Sequence, residues 1–270
     1  MKITGILFPS LMLFAGGAAF GAEAPATTAQ GWSGNGEAGL AATSGNTHAE
    51  NLNGKFALKY SDAQWKNELY ASALRNRSNA TTTTKDTGTV PPTTISTTRY
   101  QTTANRFEGG ASSGYKFDDH SYFVGAARHE RDEFSPYRDQ SIASLGYGCQ
   151  VLKNSRTELA VEVGGGYKLV QTSAVAAAAI HASADSQNSA AARGKFEYKY
   201  SFNATTSFSN TYLVESTSAN TFVQNDAGLQ VKMTRSLGLK AAYEVRHNSD
   251  VLPGFSNTDQ LLTTNLVYSF

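Results

Sequence analysis

The C-terminal stretch Thr258–Phe270, TDQLLTTNLVYSF, decides the fold. Successive side chains of a strand point to opposite faces. Leu262, Thr264, Leu266, Tyr268 and Phe270 therefore share one face, and Leu261, Thr263, Asn265, Val267 and Ser269 share the other. The first face carries the larger apolar groups and ends in two aromatics; the second is small and mostly polar. A soluble chain has little reason to finish on a strand whose final residue is a bare Phe.

The same alternation recurs upstream. In Thr157–Val170, Leu159, Val161, Val163, Tyr167 and Leu169 oppose Glu158, Glu162 and Lys168. In 188–201, Ala190, Ala192, Phe196, Tyr198 and Tyr200 oppose Arg193, Lys195, Glu197 and Lys199. Leu237, Leu239, Ala241, Tyr243 and Val245 oppose Lys240, Glu244 and Arg246, and Leu52, Phe56, Leu58 and Tyr60 oppose Asn51, Asn53, Lys55 and Lys59. About twelve strands follow from this reading: 32–43, 47–60, 64–75, 99–117, 121–133, 139–152, 157–170, 188–201, 205–216, 221–233, 237–249 and 258–270. Period-two alternation over ten or more residues marks a membrane barrel, and soluble strands are shorter. The fold expected over 32–270 is all-β, a transmembrane antiparallel β-barrel of the outer-membrane type. The alternative, a soluble periplasmic β-sandwich, would place polar residues at mid-strand on its outer faces. In 121–133 the parity of Tyr122, Val124 and Ala126 sends Arg128 outward, so that Arg128 either lies above the apolar band or follows a bulge.

Lys2, an apolar core from Ile3 to Phe14 and small residues to Ala22 form a secretory signal peptide. Cleavage after Gly21 makes 1–21 the signal peptide and 22–31 a linker. As an uncleaved anchor the core is too short to span a bilayer comfortably. Lys plus Arg number 23 against Asp plus Glu 22, a balance that excludes the basic footprint of a nucleic-acid binder. Cys149 is the sole cysteine and has no disulfide partner within the chain. Beyond residue 22 no stretch has the length of apolar residues a membrane helix needs, so a membrane-embedded chain must be a closed barrel.

Short turns at Ser61-Asp-Ala, Asp118-Asp-His, Lys153 to Arg156, Ser201 to Ala204 and Thr234-Arg-Ser alternate with the long segments 76–98, 171–187 and 250–257. Short turns are periplasmic in such barrels and long loops external, which puts both termini in the periplasm. Segment 76–98 is Thr-rich, with Pro91-Pro92 barring a strand there, and the Ala-rich 171–187 suits a short helix. Tyr60, Trp65, Tyr115, Phe117, Tyr122, Tyr200, Phe202, Tyr268 and Phe270 cluster beside the short turns as an aromatic girdle.

The stretch Gly34–Tyr60 has a Gly-rich opening at Gly36 to Ala42, a Ser44-Gly-Asn-Thr47 turn, then Leu52-Asn53 and an amphipathic strand. With Arg106-Phe107, Tyr122 to Gly125 and Arg128 to Phe134, it resembles the YdiY-like salt-induced outer membrane protein family over most of 32–270. The resemblance implies a link to salt or osmotic stress and no established reaction. The terminal strand likewise resembles the C-terminal signal by which outer-membrane barrels are recognised. This makes Tyr268 and Phe270 the assembly signal, and outer-membrane lipids and the barrel-assembly machinery the expected partners.

The inward faces carry Lys55, Lys59, Lys66, Glu68, Arg106, Glu108, Glu158, Glu162, Lys168, Arg193, Lys195, Glu197, Lys199, Asp226, Lys232, Lys240, Glu244 and Arg246. They read either as a selectivity-setting channel lining or as paired charges that fill the lumen; barrels of intermediate strand number admit both. His48, His120, His129, His181 and His247 lack metal-site spacing, and Asp132, Glu133 and Asp139 read as a solvated rim, so no metal or cofactor is expected. His247-Asn248-Ser249 sets a base and a nucleophile on the outward face, as lipid esterases of the outer membrane do, but only Gln260 is near to orient the His. The expected function is envelope-structural or narrow passive small-solute permeation, and not enzymatic. The alternatives are a lipid esterase using His247 and Ser249, or an adhesin-like protein using the Thr-rich segment.

Overall fold

The computed structural model describes residues 31–43, 48–86, 93–172, 186–252 and 255–270. The signal peptide, most of the linker, Ser44 to Thr47, Pro91-Pro92, His181 and residues 173–185 of the stretch expected to be helical lie outside them, and the ends of that stretch are strand. Twelve strands follow: β1 Gly31–Thr43, β2 Ala49–Ser61, β3 Trp65–Asp86, β4 Thr93–Lys116, β5 Ser121–Asp132 and β6 Tyr137–Lys153. The second six are β7 Thr157–Thr172, β8 Ser186–Ser201, β9 Thr206–Thr217, β10 Thr221–Lys232, β11 Leu237–Asn248 and β12 Thr258–Ser269. Each pairs antiparallel with its chain neighbour, and β1 pairs with β12 to close the barrel.

The closing seam is held over four paired positions, Asn35↔Ser269 to Ala38↔Leu266, extended by reciprocal bonds between Gly34 and Phe270. A Cβ on Gly34 would stand 2.5 Å from the Phe270 ring. Glycine at 34 therefore lets the terminal aromatic lie across β1. The terminal strand has the two faces its sequence dictates: Thr263, Asn265 and Val267 are buried, while Leu262, Leu266, Tyr268 and Phe270 are exposed.

The five short turns share one construction. Asp62, Asp118, Asn154, Asn203 and Thr234 each accept from the backbone N–H groups two and three residues on. These residue types favour such turns for that reason. The end of the barrel they occupy, where β1 begins and β12 finishes, is the near end. Rings pair there, as in Trp32–Tyr60, Trp65–Tyr115, Phe117–Phe123 and Tyr200–Phe202.

Two expectations need correction. Segment 76–98 is not a loop: β3 runs on to Asp86 and β4 begins at Thr93. Beyond Ser78, where β2 stops pairing, the two strands continue as a ribbon, with Thr81 opposite Thr98 and Thr83 opposite Ser96. Threonine is β-branched and suits a strand whatever its polarity. The second correction is in β5, where Tyr122 and Val124 are buried and Phe123 is 62% exposed. Arg128 therefore points inward with no bulge, and Tyr122 leaves the girdle for the lumen.

Outside, the wall is apolar at mid-height, with Leu145, Val163, Leu229, Leu262 and Leu266 exposed. Inside, Glu37, Arg106, Arg128, Glu130, Lys168, Glu215, Glu244 and Arg246 are buried. This inversion of the usual pattern suits a barrel whose solvent is lipid. The chain is a membrane β-barrel.

Candidate functional site

The lumen is the candidate site, built from residues that the period-two alternation turns inward. At the half farther from the short turns, Arg128 grips Glu215 with two bonds, Nε to Oε1 at 2.9 Å and Nη2 to Oε2 at 2.6 Å. Its Nη1 donates to Glu130 at 2.7 Å, and Glu130 also accepts from Arg246. Lys168 donates to Glu215 at 2.9 Å, and Glu244 accepts from Arg106 and Lys55. Phe222, fully buried, sits among three cations, with Arg128 and Arg246 5.0 Å and Lys168 5.2 Å from its ring centre. An aromatic face attracts each of them. Nearer the short turns, Lys195 meets Glu68 at 3.4 Å and Glu197 at 3.0 Å, and Lys59 meets Glu68 at 3.1 Å. Arg193 and the Tyr122 hydroxyl both donate to Glu162.

Several of these contacts run across the lumen. Glu130 on β5 and Arg246 on β11 lie halfway round the ring from each other. A circular barrel of twelve strands would be about 24 Å across from backbone to backbone, given the usual strand spacing and tilt. An arginine and a glutamate reaching toward each other span roughly 12 Å at ordinary bond lengths. The section is therefore flattened, with β1–β6 facing β7–β12. Lys55–Asp226, Arg106–Glu244, Arg128–Glu215, Lys66–Glu197, Glu68–Lys195 and Lys240–Glu37 all bridge the two halves. Glycines make the sharp corner between β6 and β7, where a Cβ on Gly146 or Gly164 would stand 2.4 Å from the facing backbone oxygen. A cavity of about 20 Å³ among Asn53, Leu74, Arg106, Glu244 and Thr263 lies within the lumen. It has room for about one water.

The sequence-predicted lumen residues meet in ion pairs on the inner faces, except Lys232, which is exposed and in no ion pair among the described residues. Glu158 and Lys199, 3.9 Å apart and each more than half exposed, stand at the near mouth. Sequence reasoning missed Glu37, Glu130, Glu215 and Phe222, and left Arg128 undecided. Reading 121–133 by its charges, Arg128, Glu130 and Asp132, would have found the inward face that its aromatics concealed.

His247 and Ser249 are not brought together as a base and nucleophile. His247 Nδ1 lies 2.9 Å from Thr258 Oγ1. Ser249 Oγ instead donates to Asn220 and accepts from the backbone of Thr221. Gln260 accepts from the Tyr243 hydroxyl. Asp132, Glu133 and Asp139 are drawn to separate partners, the Phe134 backbone, Asn105 and Arg138. Among the described residues no group of three or more His, Cys, Asp or Glu side chains is placed to hold a metal ion. On the outer wall His129 Nδ1 lies 2.8 Å from Ser141 Oγ, a pair the sequence reading did not foresee.

Residues 36–270 match the family described as Protein of unknown function, DUF481. Uncharacterized protein YdiY of Escherichia coli K12 is 24% identical over 272 residues, spanning 100% of this chain and 96% of that protein. Among solved structures, an outer membrane channel from Pseudomonas putida F1 aligns over 94% of this chain and 100% of its own, with 9% identity and a TM-score of 0.46. The NanC porin aligns over 88% and 97%, with 12% identity and a TM-score of 0.45.

Proposed function

The chain belongs to the DUF481 family, and from that premise we propose an envelope-structural barrel of the bacterial outer membrane that passes ions sparsely or not at all. The observation that carries this reading is the set of ion pairs bridging β1–β6 to β7–β12, above all Arg128–Glu215 and Glu130–Arg246. Side chains from both walls occupy the space an aqueous channel needs. The near end, with its short turns and both ends of the strand series, faces the periplasm in this reading, and Tyr268 and Phe270 serve as the assembly signal on the outer wall. A link to salt stress fits a barrel that adds no leak when external salt rises.

The test is single-channel recording of the purified protein in planar bilayers. Small conductance steps or none are expected, with weak charge selectivity, because both signs line the lumen throughout. Large, steady currents in the wild type would overturn the closed lumen and favour an open passive channel.

A further inference from the structure

A groove of about 540 Å³ crosses the outer wall over β2, β3 and β4, flanked by Phe56 and Phe107 and ending at His129 on β5. That volume is in the range of small-molecule sites. Its floor is made of Gly54, Ala71, Ala73 and Gly109. The register sets Gly54 opposite Ala73, Ala71 opposite Gly109 and Gly109 opposite His129, so the small residues form one continuous patch.

The protein's own packing does not require those glycines. A Cβ on Gly110 would stand 2.5 Å from the Tyr70 ring, and one on Gly148 would stand 2.2 Å from Tyr122, so these inward glycines are fixed from within. On Gly54 and Gly109 the nearest atoms would be 3.6 and 3.7 Å away, ordinary contact. Glycine weakens a strand and often marks a place where something approaches the backbone closely. At Gly54 and Gly109 the open side faces outward, next to Phe56 and Phe107.

Glu37, Lys55, Ser72 and Glu108 also border the groove but turn their side chains to the lumen, so among the outward side chains it is polar at one end only. His129 is bonded to Ser141, and Arg131, two residues along β5, stands opposite Phe107. Arg75, two residues beyond Ala73 on β3, forms no ion pair among the described residues. Arg131 stands in the row of Asp139 and Gln171, two residues beyond the row of the apolar Leu169, so the wall turns from apolar to polar there. The carboxylates at this rim are already engaged: Asp139 with Arg138 at 2.7 Å and Arg131 at 3.8 Å, and Glu133 with Asn105 at 2.8 Å. An apolar trough that ends in cations where the wall turns polar complements an anionic lipid.

We propose that the groove seats one acyl chain of lipid A, the phosphorylated, many-chained glycolipid of the outer leaflet, with a lipid phosphate held by Arg131 and Arg75. The choice of leaflet rests on the orientation proposed above. Arginine suits a phosphate because its fork of donors matches the oxygens.

The experiment is native mass spectrometry of the detergent-purified protein exposed to bisphosphorylated lipid A, dephosphorylated lipid A or phosphatidylglycerol. Wild type is expected to retain bisphosphorylated lipid A at least about tenfold better than the other two. Gly54→Leu with Gly109→Leu, which fills the trough, and Arg75→Gln with Arg131→Gln, which removes the cations, should each abolish that preference. Should the filled variant fail to give the heat-dependent gel shift of a folded barrel, the arginine variant carries the same test from outside the apolar belt. Equal retention of the three lipids by wild type, or a preference unchanged in folded variants, would overturn the proposal. So would a dimer in place of a lipid adduct. Any of these leaves the closed lumen standing, since that is read by conductance alone.

Discussion

The two halves of the lumen solve one problem with different side chains. The half farther from the short turns uses arginines: Arg106, Arg128 and Arg246 are buried and meet Glu244, Glu215 and Glu130. The half nearer the turns relies mainly on lysines: Lys59, Lys66, Lys195 and Lys199 meet Glu68, Glu197 and Glu158 over 3.0 to 3.9 Å. Guanidinium is weakly hydrated and forks onto a carboxylate, so it tolerates removal from water better than an ammonium does. If the lumen is closed as proposed, the far half is its plug; exposure rises toward the turns, from Arg128 at 5% to Lys59 at 50% and Lys199 at 55%.

Removing one carboxylate from each half should separate the two most clearly. Glu215→Gln strips Lys168 of its described carboxylate partner and Arg128 of its forked one. Loss of one partner from a buried pair costs about 3–5 kcal/mol, read as a lower urea midpoint for unfolding from lipid vesicles. Glu158→Gln at the open mouth should change the same midpoint by at most about 1 kcal/mol. Similar losses from the two changes would mean that the near half is as dry as the plug.

A second contrast lies across the wall of one strand. β7 carries Glu162 and Lys168 buried inside, and Val163 58% exposed outside. Val163→Arg places a charge in lipid near mid-height, which costs about 2–4 kcal/mol. Val163→Leu should stay within about 0.5 kcal/mol of wild type. If the arginine is tolerated like the leucine, that face does not meet hydrocarbon and the barrel's lipid belt is wrongly placed.

How much of this was legible in the sequence depended on whether polarity and parity agreed. In β7, β8, β11 and β12 most of the larger apolar residues keep one parity and most polar or small ones the other, and the faces read from sequence are the faces found. In β5 two large apolar side chains, Tyr122 and Val124, turn inward, so hydrophobicity pointed the wrong way. Tyr122 is inside because its ring lies over Gly148 on β6 and its hydroxyl reaches Glu162 on β7, two strands away along the wall, a contact that alternation cannot encode. Phe222 is inside because cations surround it. The Thr-rich segment 76–98 failed differently: its composition looked like a loop, but β-branching and pairing make most of it a ribbon. The flattening of the barrel was invisible, since it follows from which side chains meet across the lumen.

The smallest effect separates the carboxylates of the lumen from those of the turns. Asp62 accepts from the backbone N–H groups of Trp65 and Gln64, and Asp118 from those of His120 and Ser121. These bonds favour the ionised form and hold both carboxyls below the usual Asp value. A lowered folded-state pKa contributes stability that is present above the unfolded value, about 3.9, and lost as pH falls through the folded one. The equivalent turns at Asn154 and Asn203 make the same bonds with an amide that does not titrate. Asp62→Asn with Asp118→Asn should therefore keep the turns and their geometry. Its urea midpoint should fall less steeply than that of wild type as pH is lowered from 5 to 3, while the two stay close at pH 7. Carboxylates in the lumen titrate alike in both proteins and cancel in the difference. Parallel pH curves for the two proteins would show that the turn carboxylates add nothing to acid sensitivity, leaving all of it to the network inside.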